Sequence, residues 1–348
     1  MSLIRMIPGA RAITGPAPAI LSLLFVFSRP PVGECGRIMP CDLEYIGAFA
    51  LPASEDWEGW EWGGDAIAYD PSGDPAGPDD GFPGSLFGTG HDWYQRVSEV
   101  SIPVPAVPIH RHLETLPVAA TLQGFRDVRR GLYPEEAEMP RAGLAVAAAP
   151  DGLPGDALFF CWGIHLEQGN TDPSHGWCYT DLSRMDSRGL WSIGDFERYV
   201  TTDYMLAIPE EWCERLLGGQ WLATGRFRDG GQGACGPALI AFSTSGMSDA
   251  PQGEALSALP LLLYDDFLGP QDRWLQGYHH SDEWNGAAWL SGDYGEAVVF
   301  SGTKGTGDCW YGFGNGVVWP DGPPYPEVPA YPWEARGWWS TDTEAWLL

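Results

Sequence analysis

Four times the chain repeats one plan: a small residue, a short apolar strand, a turn, a second apolar strand and a closing glycine. Gly64 opens the first copy, which continues as Asp65-Ala66-Ile67-Ala68-Tyr69-Asp70 and, after an acidic turn, Ser85-Leu86-Phe87-Gly88. Gly143 opens the second, Gly143-Leu144-Ala145-Val146 and then Ala157-Leu158-Phe159-Phe160-Cys161-Trp162-Gly163. A fainter third starts at Gly219, with Trp221-Leu222-Ala223-Thr224 and an apolar strand at 237–242. The fourth runs from Gly286 through Ala287-Ala288-Trp289-Leu290 to Ala297-Val298-Val299-Phe300-Ser301-Gly302. Short apolar runs bounded by glycine read as paired strands. The opening glycines lie 79, 76 and 67 positions apart. That exceeds the ~40–50 residues of WD40 or kelch blades, but a sheet repeated around an axis with long inserted loops gives it. The expectation is therefore an all-β fold, a β-propeller. Four visible units, and a fifth assembled from a strand at 42–51 with residues after Gly314, make five blades. A β-sandwich with two glycine-bounded strands every ~70 residues is the alternative.

Composition supports β structure and removes some partners. Gly 46 and Pro 31 approach the level of disordered chains, but Trp 18, Tyr 13 and Phe 14 do not, because disordered chains are poor in aromatics. A formal charge of -28 repels phosphate backbones and anionic membranes at long range, so nucleic acid is a poor partner. The apolar run at 19–27 follows Arg5 and Arg11 and is too short to span a bilayer. Residues 1–31 read as an export signal or a mistranslated leader, which predicts a secreted or periplasmic protein with no integral membrane span in the mature chain. Residues 42–348 read as a single domain. A missing closing strand after Leu348 would make it a truncated product.

One insertion is legible as a short helix. Residues 209–218 place Pro209 at the first turn, Glu210 and Glu211 early, Arg215 late and Gly218 at the end. Seven cysteines leave at least one unpaired in a monomer, and in an exported chain the sequence-local pairs Cys35 with Cys41, Cys161 with Cys178 and Cys213 with Cys235 are the simplest expectation.

Candidate site residues come from the turns that follow the second strand of each unit. In a propeller such turns converge, here bringing together His91 with Asp92, His165 with Glu167, Arg226 with Arg228 and Asp229, and Lys304 with Asp308. Lys304 is the only lysine, in a turn with Gly302, Gly305 and Gly307. Either an ammonium is required there or coding bias has replaced every other lysine by arginine. Gathered cations on an acidic chain suit an anionic small molecule or glycan, held by Lys304, His165, Arg226, Arg228 and Glu167. His91, Asp92 and Asp308 are the candidate acids and bases. Asp70, Asp74, Asp79 and Asp80 offer the hard oxygens calcium prefers, or form a solvated acidic loop. The loop with Asp172, His175 and Trp177 reads as a rim or lid, and Trp57, Trp60 and Trp62 as sugar-stacking surfaces or core. The order Gly-x4-Gly-Lys-Ser/Thr, the Gly-x-Ser-x-Gly elbow and His-Glu-x-x-His are all absent, so a nucleotide P-loop, a serine hydrolase and a zincin have no support.

These repeats resemble bacterial secreted β-propellers in general, including five-bladed enzymes that act on sugars. The resemblance implies the fold over roughly residues 42–313 and transfers no catalytic residue. Two functions follow as expectations: an exported hydrolase or lyase acting on an anionic carbohydrate or ester, and a non-catalytic propeller that binds glycans or a protein.

Overall fold

The computed structural model describes residues 2–5, 44–53, 59–75, 77, 81–129, 131–133, 141–164, 169–184, 186–217, 221–226, 235–248, 253–266, 269–292, 295–312 and 337–347. Strands β1 (Ser2–Arg5) and β2 (Glu44–Ala48) pair antiparallel. The first four-stranded sheet is β3 (Ile67–Asp70), β4 (Gly81–Thr89), β5 (Val97–Pro103) and β6 (Thr121–Arg126), each hydrogen-bonded to the next in chain order. The second follows the same meander, β7 (Arg141–Ala148), β8 (Asp156–Gly163), β9 (His175–Tyr179) and β10 (Arg188–Ile193). The third is β11 (Tyr204–Ala207), β12 (Trp221–Gly225), β13 (Leu239–Ser243) and β15 (Ala258–Leu262), while β14 (Ala255–Leu256) leaves it to pair in parallel with β10 of the second. The fourth is β16 (Glu283–Gly292), β17 (Gly295–Gly312) and β18 (Gly337–Leu347).

Successive sheets pack face to face, in chain order. The run at 157–162 on β8 is apolar at every position because both faces of its sheet are covered. Ala157, Phe159 and Cys161 meet Met205, Leu222, Ile240 and Phe242 of the third sheet. Their neighbours Leu158, Phe160 and Trp162 point the other way, onto Ala66, Ala68, Phe87 and Val97 of the first sheet. The far side of the third sheet, with Leu206, Ala223 and Leu239, packs on Trp284 and Phe300 of the fourth. The far side of the first sheet, with Leu86, Val100 and Ile102, covers Phe49 and Trp60, with Ile46 of β2 against the same cluster. The first strands β3, β7, β11 and β16 lie beside one another in that order, so the sheets approach most closely along one line.

The expected all-β class with several antiparallel sheets is present, and so is the helical insertion. One α turn (α1, Glu210–Trp212) continues as a wider, π-type turn over Cys213–Leu217. Three expectations need correction. The third unit begins at β11, upstream of Gly219, because Thr201-Thr202-Asp203 and not glycine precedes its first strand; the run from Trp221 is its second strand. The strand at Gly337–Leu347 extends the fourth sheet by pairing with β17 and does not join β2 in a fifth.

The third correction concerns the disulfides. None of Cys161, Cys178, Cys213 and Cys235 is joined in a disulfide. Register excludes the bridge between the first two: Cys161 sits opposite His175 and Cys178 opposite Leu158, three positions away along adjacent strands, and their side chains enter different cores. Three residues of strand span about 10 Å, beyond the reach of a disulfide. Burial also disfavours their thiolates, pushing Cys178 up to about 12 and Cys161 upward as well. The expected Cys35–Cys41 pair lies outside the described residues, as does the side chain of Cys309.

Gly225, at the end of β12, marks a place where only a bare backbone fits. A Cβ there would stand 2.0 Å from the Ala238 carbonyl oxygen and 2.5 Å from the Tyr204 ring. Gly225→Ala is expected to destabilise the protein by about 3 kcal/mol, the upper range for overpacking, as read from urea unfolding. Gly124→Ala, at a strand position with nothing within 4 Å, should leave the midpoint unchanged.

Candidate functional site

Charged residues collect where the first strands enter the sheets. Asp65 precedes β3, Arg141 opens β7, Asp203 precedes β11 and Asp282 precedes β16. Because β3, β7, β11 and β16 are neighbours, this single position in the repeat brings acids and a base to one end of the assembly. Close approach there depends on glycine. A Cβ on Gly163, opposite Arg141, would lie 2.2 Å from Thr202 Oγ1 of the next sheet.

The cations at this end are largely occupied. Lys304 donates to both carboxylate oxygens of Asp282, at 2.7 and 2.8 Å, and to the Gly305 carbonyl at 3.3 Å. Asp282 is wholly buried and also accepts the Gly305 and His279 amides, each at 2.9 Å. The lone ammonium thus neutralises a carboxylate enclosed beside β16 and β17. Arg226 holds the matching place in the third sheet: Asp203 faces it across the strands, donating its amide to Gly225 O at 3.0 Å. Arg226 is completely buried, with its guanidinium 4.0 Å above the Tyr199 ring. Arg141 Nε lies 3.8 Å from Asp203 Oδ1, and its charge also reaches Asp65. Arg198, buried, donates to the Trp162 carbonyl at 3.4 Å and sits 5.6 Å from the Tyr133 ring.

The open part of this end is the turn after β4. His91 Nδ1 meets the Trp93 amide at 3.1 Å and Asp92 Oδ1 at 3.1 Å. Trp93 is 50% exposed and Tyr94 half-buried. Gln95, wholly buried, donates its side-chain amide to Asp65 Oδ2 at 2.7 Å. Asp65 is exposed as a residue, yet protein crowds its carboxyl. Withdrawal from water raises it above the ordinary carboxylate range, the Gln95 bond and Arg141 work against this, and the Asp92 charge adds to it.

A second polar group is sealed between the second and third sheets. His175, expected on a rim or lid, starts β9 and is completely buried, and Trp177 beside it is core. Thr224 gives its hydroxyl proton to the Thr201 carbonyl, so His175 Nε2 is the donor toward Thr224 Oγ1 at 3.3 Å; Nδ1 faces Ser174 Oγ at 3.0 Å. Burial, then the Arg198 charge, pushes this imidazole down to about 3. Cys161 faces it across the strands, and its raised thiol is no nucleophile.

Of the sequence-predicted residues, His91 and Asp92 stand together beside Asp65, whereas Arg226 and Lys304 are set apart in the third and fourth sheets, each held by its own surroundings. Asp308 lies in β17, where its backbone alone is described; His165, Glu167, Arg228, Asp79 and Asp80 lie outside the described residues. Asp70 accepts the Ser72 amide at 2.9 Å, closing a turn, and Asp74 is buried with a positive φ of 41°. Among the described residues no group of three or more His, Cys, Asp or Glu side chains is placed to hold a metal ion. Trp60 belongs to the core, and Trp57 lies outside the described residues. Reasoning from the turns alone missed Asp65, Gln95, Arg141, Asp203 and Asp282. The recurring acid just before a first strand, in Asp65-Ala-Ile, Asp203-Tyr-Met and Asp282-Glu-Trp, was the available signal.

Two variants test this electrostatic arrangement. Lys304→Met leaves Asp282 buried without its counter-charge and should cost about 3–5 kcal/mol in chemical unfolding, with much of it recovered in Lys304→Met/Asp282→Leu. The depressed imidazole of His175 makes the unfolded chain bind a proton that the folded chain refuses, so stability is full above pH 6.5 and falls as the pH drops from 6.5 toward 3. In His175→Gln the unfolding free energy should decline less steeply across that window.

A scan against protein-family models found no match to this chain, and searches of curated proteins and of solved structures likewise found none.

Proposed function

We propose that the sheets are the blades of a β-propeller and that the chain is an exported glycan-binding protein. Its ligand sits on the turn His91-Asp92-Trp93-Tyr94 with Asp65 and Arg141. The observation that carries this reading is the half-exposed Trp93 indole in the same turn as His91 and Asp92. An exposed indole offers an apolar face to a sugar ring, while neighbouring carboxylates and imidazole accept and donate at its hydroxyls. The blade arrangement is supported by the face-to-face order of four sheets and by their neighbouring first strands. Export is supported by the arginines and apolar run within residues 1–31.

Geometry favours an uncharged sugar unit over the anion expected from the basic residues. Lys304 is taken by Asp282, Arg226 is buried beneath Tyr199, and Arg141 stands between two carboxylates. Hydrolysis is the second reading, and one observation favours it. Asp65 lies beside Asp92, and withdrawal from water, with the Asp92 charge adding to it, raises the Asp65 carboxyl from its ordinary value. A carboxyl raised by its surroundings beside a second carboxyl group is the kind of pairing that glycosidases use.

Calorimetric titration with neutral hexose oligomers and with their uronate counterparts tests the site. Neutral oligomers should bind more tightly, and Trp93→Ala should weaken them about tenfold, near the upper worth of an aromatic contact. Equal affinity in Trp93→Ala would sink the assignment. If Asp65→Asn binds normally but stops release of reducing ends, hydrolysis is the better reading.

A further inference from the structure

The strands that bring the charges together have a second end, and a cavity opens there. About 190 Å³ in volume, it is walled by Ala148 at the end of β7, Ala207 and Ile208 at the end of β11, and Trp221 and Leu222 at the start of β12. Drug-sized sites begin at about 300 Å³, so this one takes a single ring or a short chain. Its walls are apolar but for Thr244, the Cys213 thiol and one carboxylate, Glu210 of α1.

Glu210 is the feature that selects a ligand. Among the described residues no cation or hydrogen-bond donor pairs with it, in contrast to Asp203 and Asp282 at the opposite end. The nearby cation of the same helical insertion, Arg215, is drawn over the Trp212 ring at 4.8 Å. The Cys213 thiol is already spoken for, donating to the Ile208 carbonyl at 3.5 Å, and burial raises it, so it offers no thiolate. An apolar pocket with one unpaired carboxylate at its edge, on a chain of formal charge -28, matches a compact cation with an apolar body.

We propose that this cavity is a binding site for a small organic ammonium, a primary amine carried on one aromatic ring or a short aliphatic chain, with Glu210 as its counter-ion. The site is independent of the proposed glycan site, since the two occupy opposite ends of β7 and β11. The pocket's rigidity comes from the strand ends that form most of it, and Glu210 adds direction to an otherwise non-directional apolar contact.

The probes are phenethylammonium and 2-phenylethanol, which share a body and differ in charge, titrated calorimetrically into the full chain at moderate salt. Phenethylammonium should bind at least tenfold more tightly than the alcohol, as expected for a hydrogen bond to a charged group. Glu210→Gln, at an exposed position, should bring the two affinities together. Ala148→Leu, at an exposed strand end, fills the cavity and should abolish both. Equal affinity of amine and alcohol for the unaltered chain overturns the proposal, as does no heat from the amine up to tens of millimolar. Amine binding that survives in Ala148→Leu overturns it too, since the cation would then be held by the acidic surface elsewhere.

Discussion

Burial of the second sheet on both faces is the constraint on which the rest of the structure depends. Its strand β8 sends Phe159 and Cys161 into one core and Phe160 and Trp162 into the other, so neither face is free to meet water. Here a sheet covers each side, and each of those sheets then needs its own cover. That requirement propagates outward, to the fourth sheet through Trp284 and Phe300 and to β2 through Phe49 and Trp60. Close packing of this kind fixes strand register, because slipping one strand by a residue would move its side chains to the opposite faces.

Stacked sheets leave polar chemistry only at strand ends, and there the charges are close enough to require partners. Burying a carboxylate such as Asp282 without compensation costs several kcal/mol, which explains why Lys304 and two backbone amides surround it. Arg226 meets the same demand with an aromatic face and Asp203 opposite. The single lysine is therefore where a compact ammonium reaches both oxygens of one enclosed carboxylate. A guanidinium is broader and planar, and the backbone of Gly305 stands in the same space. Solvation differs at the turn after β4, where exposure of Asp92 and Trp93 leaves groups available to a ligand.

Much of this was legible in the sequence, and the misses share a cause. Glycine-bounded apolar runs marked three of the four units correctly, because Gly64, Gly143 and Gly286 lie at or next to first strands. The third unit was misplaced since β11 is only four residues long and opens on Thr201-Thr202-Asp203, which looks like loop. The helical insertion showed itself through Pro209 and its acids, all local signals. Pairing of Cys161 with Cys178 failed because sequence proximity says nothing of face: one strand register separates the two thiols into different cores. His175 and Trp177 read as a rim because they fall in a stretch bracketed by Cys161 and Cys178, although alternation places both in the interior. His91 and Asp92 were found from their turn, while Asp65 and Gln95 were not, since what joins them to the site is spatial.

The same first strands carry opposite chemistry at their two ends, and the reason lies in how a strand begins and finishes here. At the entry end the preceding residue is an acid in three of four sheets, and it meets the turn that follows the second strand, so charge faces charge across the first hairpins of the third and fourth sheets. At the exit end of β7 the chain finishes in Ala147 and Ala148, and β11 finishes in Ala207 and Ile208, small or apolar residues that cannot fill the gap between sheets. A gap lined by alanine stays open where larger side chains would interdigitate. The insertion at 210–217 then closes over that gap and brings Glu210 to its edge. One end of the strands is thus crowded with paired charge and the other is hollow, with the Glu210 carboxylate unpaired among the described residues. The two ends select for different molecules because the first offers its hydrogen-bonding groups at an open turn and the second offers volume.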